Sequence, residues 1–488
     1  MDSKNPVFDE VKECFKQQIS GLALNEAIDL ISSSPEKEYE YLSFSIRIPS
    51  TDPLAALEQN GYNEGFQYYW EKPSDEFAIA AAGSIARIQT TGQERFRQSS
   101  DQGKELLSKV YHISNLNHHL ASVHLLGGFS FFDHNIGKVW RDFGAGSFTL
   151  PEWVLVKNGK LTILTITKKI PAGSQKDVLY DDFLNTLEHL DSICDAGSYK
   201  VEEKQSYRSS VLTPGIDSEA YNHWINSVES ATDLIKAKKF KKIVLARELK
   251  VELQTSVSDT RILNYLRNQY PDCYSFLISQ DGESSFIGST PERLASFRER
   301  EVLTEGWAGS ISRGKTASED AVLEYELLHS QKDLNEHAFV LDAIEENLQR
   351  FSDVFEHPVS PSIKKLSNVQ HLYTPVHAKI KKGVSRTEVL SKLHPTPAVG
   401  GYPREAAMPY ISKLEHFDRG WYAAPVGWIN AHGEGEFVVA IRSGLIKTNE
   451  VRFFAGCGIV EDSNPQKEWD ETNLKFIPML TALEHARK

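Results

Sequence analysis

The chain has 488 residues, of which 40% are hydrophobic and 25% charged, and its formal net charge is −13. Those values suit a globular protein with one large core or two to three smaller ones. The acidic balance argues against sequence-independent nucleic-acid binding, which needs a basic surface, and no apolar run is long enough to span a membrane.

In chain order, residues 1–36 read as helix, followed by a polar SSSPEKE spacer. The opening stretch, MDSKNPVFDEVKECF, lacks the apolar core of a signal peptide, so a cytoplasmic or organelle-stromal setting is expected. From 41 to about 170 strand patterns dominate: YLSFSIRI, EFAIAAAGSIARIQ, HLLGGFSFF and EWVLVKNGKLTILTI. One helical interval is expected at 99–115, and Asn158-Gly159 suggests a hairpin of type I′. Residues 172–210 are polar, with DAGSYKVEEKQSYRSS the linker candidate. The expected division is therefore 1–205, a helix plus antiparallel strands, and 206–488, which carries most of the signals.

Residues 216–239 read as helix. KKIVLARELKVEL then alternates, with Ile243, Leu245, Leu249, Val251 and Leu253 on one face and Lys242, Val244, Ala246 and Glu248 on the other. CYSFLISQ and SSFIGS flank Asp281-Gly282 as a hairpin, and 318–351 is a long helical stretch of one or two helices. GEFVVAIRSGLI and EVRFFAGCGIV form a hairpin across KTNE, and 465–485 is a last helix. Antiparallel runs with helices grouped between them predict an α+β fold rather than a doubly wound parallel sheet. No internal repeat and no glycine-rich phosphate loop is present, so nothing supports a solenoid or a nucleotide site. The four cysteines, Cys14, Cys194, Cys273 and Cys457, lie far apart without metal-type spacing, which predicts buried free thiols in a reducing compartment.

The segment EDSNPQKEWDETNLKF concentrates acids where the last strand gives way to the last helix. Pro465 suits the first turn, with Ser463 or Asn464 as cap. In that register Glu468, Glu471 and Lys475 share one face. Spacing alone allows a solvated face, with Glu471–Lys475 an ordinary i,i+4 pair. A second acidic helix, KDLNEHAFVLDAI, offers Glu336 while Phe339, Leu341 and Ile344 must pack inward. Carboxylates from two helices turned to one cleft would make a hard-oxygen site of the kind Mg²⁺ takes. Arg442 and Lys475 beside it could hold carboxylates of a substrate, the arginine by its planar fork.

A series of strings in order then resembles the chorismate-utilising enzymes, most closely the isochorismate synthases: KKIVLAR, FIGSTPERL, EGWAGSISRG, NEHAFVLDAI, VQHLYTPV, LHPTPAVGGYP, YAAPVGW, FVVAIRSG, and FFAGCGIV with EWDET. They cover 205–485, and FQYYWEKPSDEFAIAAAGSIA extends the likeness less specifically into the first half. The resemblance implies a single large fold of two stacked antiparallel β-sheets with helices outside, in which the polar stretch near 200 is an insertion or crossover rather than a boundary.

It implies the reaction as well: water adds at C2 of chorismate, hydroxide leaves from C4, and the double bonds shift. It places the base for the water at Lys242 and the acid for the leaving hydroxyl at Glu292, on opposite faces of the ring. A dry pocket should raise the pKa of Glu292 so that it keeps its proton. The metal ligands carried over are Glu336 and Glu471 for Mg²⁺, with Glu468 nearby through water; Glu461, Asp462 and Asp470 are read as solvated. The substrate contacts carried over are Arg442, Lys475, the backbone of Gly458, and Gly309 with Ser310, while Tyr422 lines the pocket. His394 matches the family's pocket histidine; a core histidine bonded to backbone is the other reading.

Anthranilate-forming relatives carry glutamine at the Lys242 position. Aminodeoxychorismate-forming relatives carry a lysine within a PIKGT-like string where this chain has Ala308. Both want a glutamine amidotransferase, which is not expected here. Salicylate synthases keep both catalytic residues and add loss of pyruvate; that is the alternative, although AGSISRG and HPTPAVGGYP look more like enzymes that stop at isochorismate. The expectation is a Mg²⁺-dependent isomerase acting on chorismate as a monomer, without nucleic acid or membrane, with the long first half resembling the quinone-pathway versions.

Overall fold

The computed structural model describes residues 39–61, 65–134, 136–170, 176–199, 218–366 and 369–487. The helix expected over 1–36, the SSSPEKE spacer, Cys14 and residues 200–210 of the linker candidate lie outside the described residues.

Two large sheets stack on one another. The first has twelve strands in the order Gly401–Tyr402, Lys242–Glu252, Glu450–Ile459, Ser443–Lys447, Ser284–Thr290, Tyr274–Ser279, Gln67–Lys72, Phe77–Ala82, Trp153–Asn158, Leu161–Lys169, Tyr41–Ile48 and Val110–Ser114. The second runs Ser352–Glu356, Val369–Ile380, Glu301–Ser312, Arg293–Arg298, Gly435–Val439, Pro425–Asn430, His124–Phe129, Gly146–Leu150 and Ala86–Thr90, with Ser362–Lys365 also paired to Val369–Ile380. Among the described residues the pairing is antiparallel except between Tyr41–Ile48 and Val110–Ser114. Both sheets mix strands from before and after residue 205, and the architecture is α+β.

Strand alternation decides which core each side chain joins. Phe276 and Ile278 pack into the cluster between the sheets, with Leu126, Phe148 and Phe437 of the second sheet. Leu277, between them in sequence, joins the other cluster, where Leu263, Phe476 and Leu480 from helices cover the outer face of the first sheet. Phe476, Met479, Leu480 and Leu483 are the buried stripe of the helix Pro465–Ala486. Among the described residues no helix is long and apolar enough to cross a membrane.

Two expectations shift and one, the two-helix form of 318–351, is met. The helical interval at 99–115 is a helix over Arg95–Ser108 followed by the strand Val110–Ser114. The long stretch at 318–351 is two helices, Ala317–His329 and Gln331–Leu348, parted at Ser330, whose hydroxyl caps the second by accepting from Asp333 N. Asn158 stays in the ladder opposite Leu161, so the turn centres on Gly159, at φ +58°, and Lys160 rather than on Asn158-Gly159. The described cysteines, Cys194, Cys273 and Cys457, are buried and free.

Candidate active site

GEFVVAIRSGLI reads locally as one strand, yet it divides between the sheets. Gly435–Val439 lies in the second sheet, Ser443–Lys447 in the first, and Arg442 sits on the link at φ +51°. FIGSTPERL does the same, with Ser284–Thr290 in the first sheet and Arg293–Arg298 in the second. Its link is Pro291-Glu292, where proline has no N–H to continue the ladder. The two links hold each other. Ser289 N donates to Arg442 O at 3.0 Å, and Val439 N donates to Glu292 O at 3.0 Å. The Thr290 hydroxyl donates to Val439 O at 2.7 Å.

Lys242 opens the strand Lys242–Glu252, between Gly401–Tyr402 and Glu450–Ile459. Val244 pairs with Gly458, and a Cβ on Gly458 would come within 2.8 Å of Lys242 Cε. Glycine is therefore what lets the lysine chain lie across that strand. Lys242 Nζ donates to Glu336 Oε1 at 2.6 Å; Glu336 projects from the helix Gln331–Leu348. The helix Pro465–Ala486 begins as its sequence indicates, with Asn464 accepting from Lys467 N and Pro465 in the first turn. Arg247 pins its inner face: Nε donates to Thr472 Oγ1 at 2.8 Å and Cζ stacks 3.6 Å above the Trp469 ring. That rotation sets Glu468, Glu471 and Lys475 on the adjoining face, towards the cavity. There Lys475 Nζ donates to Glu471 Oε1 at 2.7 Å and to Gly456 O at 2.8 Å.

These elements enclose a cavity of about 430 Å³, within the range of small-molecule sites. Lys242, Glu292, Glu336, Arg442, Glu468, Glu471 and Lys475 line it, as do Gly309, Ser310, Tyr422 and Gly458. Gly309 sits at φ +70° in a bulge of the strand Glu301–Ser312, and a Cβ there would press on Asp333 at 3.0 Å.

His394 departs from its expected place. It is not among the lining residues; it is buried against Phe96 and Phe131, with Nε2 3.1 Å from Phe131 O. Burial holds it neutral, far below the usual histidine range. The other reading, a core histidine bonded to backbone, describes it. The cavity histidine is His371, with Nδ1 2.7 Å from Ser310 Oγ. Burial, then the charges of Arg442 and Lys475, push it down to about 3. Trp307, Lys332 and Asp333 line the cavity too and were not anticipated. His371 stands within VQHLYTPV, and Lys332 lies one turn before Glu336, so both signals were present in the sequence.

The charges are unevenly matched. Burial, reinforced by the negative charge of Glu305, pushes Glu292 up to about 7, so the carboxyl keeps its proton towards neutrality. Burial would also raise Glu336, but the Lys242 charge and hydrogen bond outweigh it and leave it lowered. Burial raises Glu468, and Glu471 adds to the effect. The Arg442 guanidinium lines the cavity without a hydrogen bond or ion pair among the described residues. A desolvated, unpartnered guanidinium is suited to an anion with two oxygens.

Among the described residues no group of three or more His, Cys, Asp and Glu side chains is set to hold a metal unaided. That does not suit structural zinc, which needs a closed set of protein ligands. The lining carboxylates Glu336, Glu468 and Glu471, two of them repelling each other, fit a hard divalent cation that draws its remaining oxygens from water and substrate.

Residues 24–484 match the family model described as "Chorismate binding enzyme". The chain is 35% identical over 454 residues to the isochorismate synthase MenF of Bacillus subtilis, covering 92% of this chain and 94% of that protein. It is 35% identical over 440 residues to the salicylate biosynthesis isochorismate synthase of Pseudomonas aeruginosa, covering 88% of each. The fold matches the structure of MenF, the menaquinone-specific isochorismate synthase from Escherichia coli, with a TM-score of 0.74 at 24% identity, over 94% of this chain and 99% of that one.

Proposed function

The chain belongs to the chorismate-binding enzyme family, and from that premise we propose that it is an isochorismate synthase, a Mg²⁺-dependent isomerase of chorismate. The observation that carries the reading is that Lys242 and Glu292, a carboxyl that burial pushes up to about 7, line one cavity that also presents an unpartnered guanidinium.

In this reading Arg442 and Lys475 bind the substrate's carboxylates, and the Gly458 backbone with Gly309 and Ser310 shapes the floor. Orientation of this kind converts a bimolecular encounter into an effectively intramolecular one. Lys242 parts from Glu336, gives up its own ammonium proton to solvent, and as the free amine takes a proton from the water whose oxygen bonds to C2. The C1=C2 electrons move to C6=C1 and the C5=C6 electrons to C4=C5, the C4–O bond breaks, and Glu292 gives its proton to the departing hydroxide, which leaves as water. Glu336 and Glu471, with Glu468 behind them, would hold Mg²⁺, which when bound neutralises the ring carboxylate. Net proton balance is restored when Lys242 returns its proton to solvent and Glu292 regains one. The protein works on the small molecule alone, as a cytoplasmic monomer without an amidotransferase subunit.

Product analysis tests this. Protein, chorismate and Mg²⁺ should give isochorismate without pyruvate, and added ammonium should give no aminated product. Salicylate with stoichiometric pyruvate would replace the reading with the salicylate synthase one.

A further inference from the structure

Glu305 lies behind the cavity wall and touches none of the space itself. Its side chain is 9% exposed, and three donors hold it. Arg293 Nη1 lies 2.9 Å from Oε1, the Tyr373 hydroxyl 3.2 Å from Oε1, and Trp307 Nε1 3.0 Å from Oε2. Trp307 is part of the cavity wall, and Arg293 follows Glu292 in the chain. The same guanidinium serves a second carboxylate: Arg293 Nε lies 2.8 Å from Glu436 Oε1, which also accepts from the Tyr274 hydroxyl at 2.8 Å. One cation thus faces two carboxylates in a nearly dry enclosure, and an excess negative charge is left beside Glu292. A structural network needs no such excess; a neutral glutamine at 436 would accept both of its hydrogen bonds on one oxygen, and one at 305 would still accept those from Arg293 and Tyr373, losing only that from Trp307.

We propose that Glu305 is a positioning residue for the reaction: it fixes Arg293, Trp307 and Tyr373 behind the wall and sets a buried negative charge against Glu292. The inference rests on Glu292 being the acid. Around Glu292 the opposing influences are Lys242 and Lys475, both cationic, and the Thr396 hydroxyl, 3.5 Å from Oε1. Glu305 is the charge that counters them, and it does so from a position that substrate cannot occupy. Charge in a dry site acts with little screening. A carboxyl flanked by two ammonium groups would otherwise tend to ionise, and an ionised Glu292 has no proton for the leaving hydroxide.

The test is the pH dependence of kcat/KM for chorismate in wild type, Glu305→Gln, Glu436→Gln and Glu292→Gln. Glutamine keeps an acceptor for the network and removes the charge. The limb on which activity falls with rising pH should move to lower pH by about one unit in Glu305→Gln. Relative to wild type, the rate should then be about half at pH 6 and about tenfold lower at pH 8. Glu436→Gln should move the limb the same way by less. Infrared titration of the protonated-carboxyl band that Glu292→Gln removes should show the same displacement without turnover. A folded Glu305→Gln protein with the wild-type limb overturns the proposal; if that variant does not fold, an unmoved limb and carboxyl band in Glu436→Gln overturn it. Wild-type activity in Glu292→Gln would instead remove the acid assignment, and this inference with it.

Discussion

Lys242 Nζ and Glu336 Oε1 lie 2.6 Å apart, so the proposed base and one proposed cation ligand are each other's partner. Occupation of Glu336 by a divalent cation would compete with that ion pair. Glu336→Gln should therefore weaken the apparent Mg²⁺ constant at least about tenfold, and chelation should stop turnover while circular dichroism stays unchanged. Lys242→Ala should lower kcat by about 10²–10⁴ with chorismate binding in Mg²⁺ retained by calorimetry. Near-normal turnover in Lys242→Ala would remove the base assignment.

Glu292 predicts a trade of stability for activity. Its folded pKa of about 7 lies above the ordinary value of 4.5. Between those values the folded state holds a proton that the unfolded chain has lost, so stability falls as pH rises through the window and the penalty is complete above it. It amounts to about 3 kcal/mol by pH 8. Glu292→Gln should raise the urea midpoint at pH 8, change it little at pH 4, and cost most of the turnover. An unchanged midpoint difference between the two pH values would argue that the carboxyl is not buried as the fold places it.

Gly458→Ala tests the lysine's path. The added methyl meets Lys242 Cε at 2.8 Å, on the flexible part of a side chain, so the strand pairing survives and the amine moves instead. A displacement near 1 Å should cost about 10²-fold in kcat with a melting temperature within a few degrees of wild type. Full activity would mean that the lysine does not need this approach.

Acid should weaken the fold through buried neutral histidines. His124 is fully buried between strands and is pushed down to about 4 by desolvation, and His337, held by the Thr374 hydroxyl at 2.8 Å, behaves likewise. As pH drops from 6.5 towards 4 the unfolded chain takes up protons that the folded chain refuses, so stability is lost in that direction. For His124 alone the loss is about 3 kcal/mol. In a Glu292→Gln background, which removes the opposing carboxyl, urea midpoints at pH 7, 6 and 5 should fall in sequence, with a shallower fall when His124→Asn is added; equal slopes with and without His124→Asn would contradict it.

The motif strings marked the neighbourhood of every site residue because each fixes a local backbone shape. FIGSTPERL supplies a proline where the ladder must stop, and FFAGCGIV a glycine where a lysine must pass. They did not show side-chain direction. His394 stands in a motif string beside the site yet turns to Phe131, whereas His371 reaches the cavity from a strand whose alternation alone leaves either face open. The passage of GEFVVAIRSGLI from one sheet to the other was equally hidden. Its apolar pattern continues through the break, and the partners that enforce the break, Ser289 and Glu292, lie far away in sequence. Local periodicity reports which residues want burial, and distant backbone partners decide in which layer they find it.

The mutual clasp of the two sheet-to-sheet links has a mechanical outcome. Glu292 and Arg442 are stitched to one seam, so if one layer slides over the other, proton donor and guanidinium travel together and keep their spacing. Lys242 is rooted in the first layer alone. Shear between the layers would thus alter the separation of the amine from the other two before it altered theirs, making that single gap the one the sandwich's stiffness must protect.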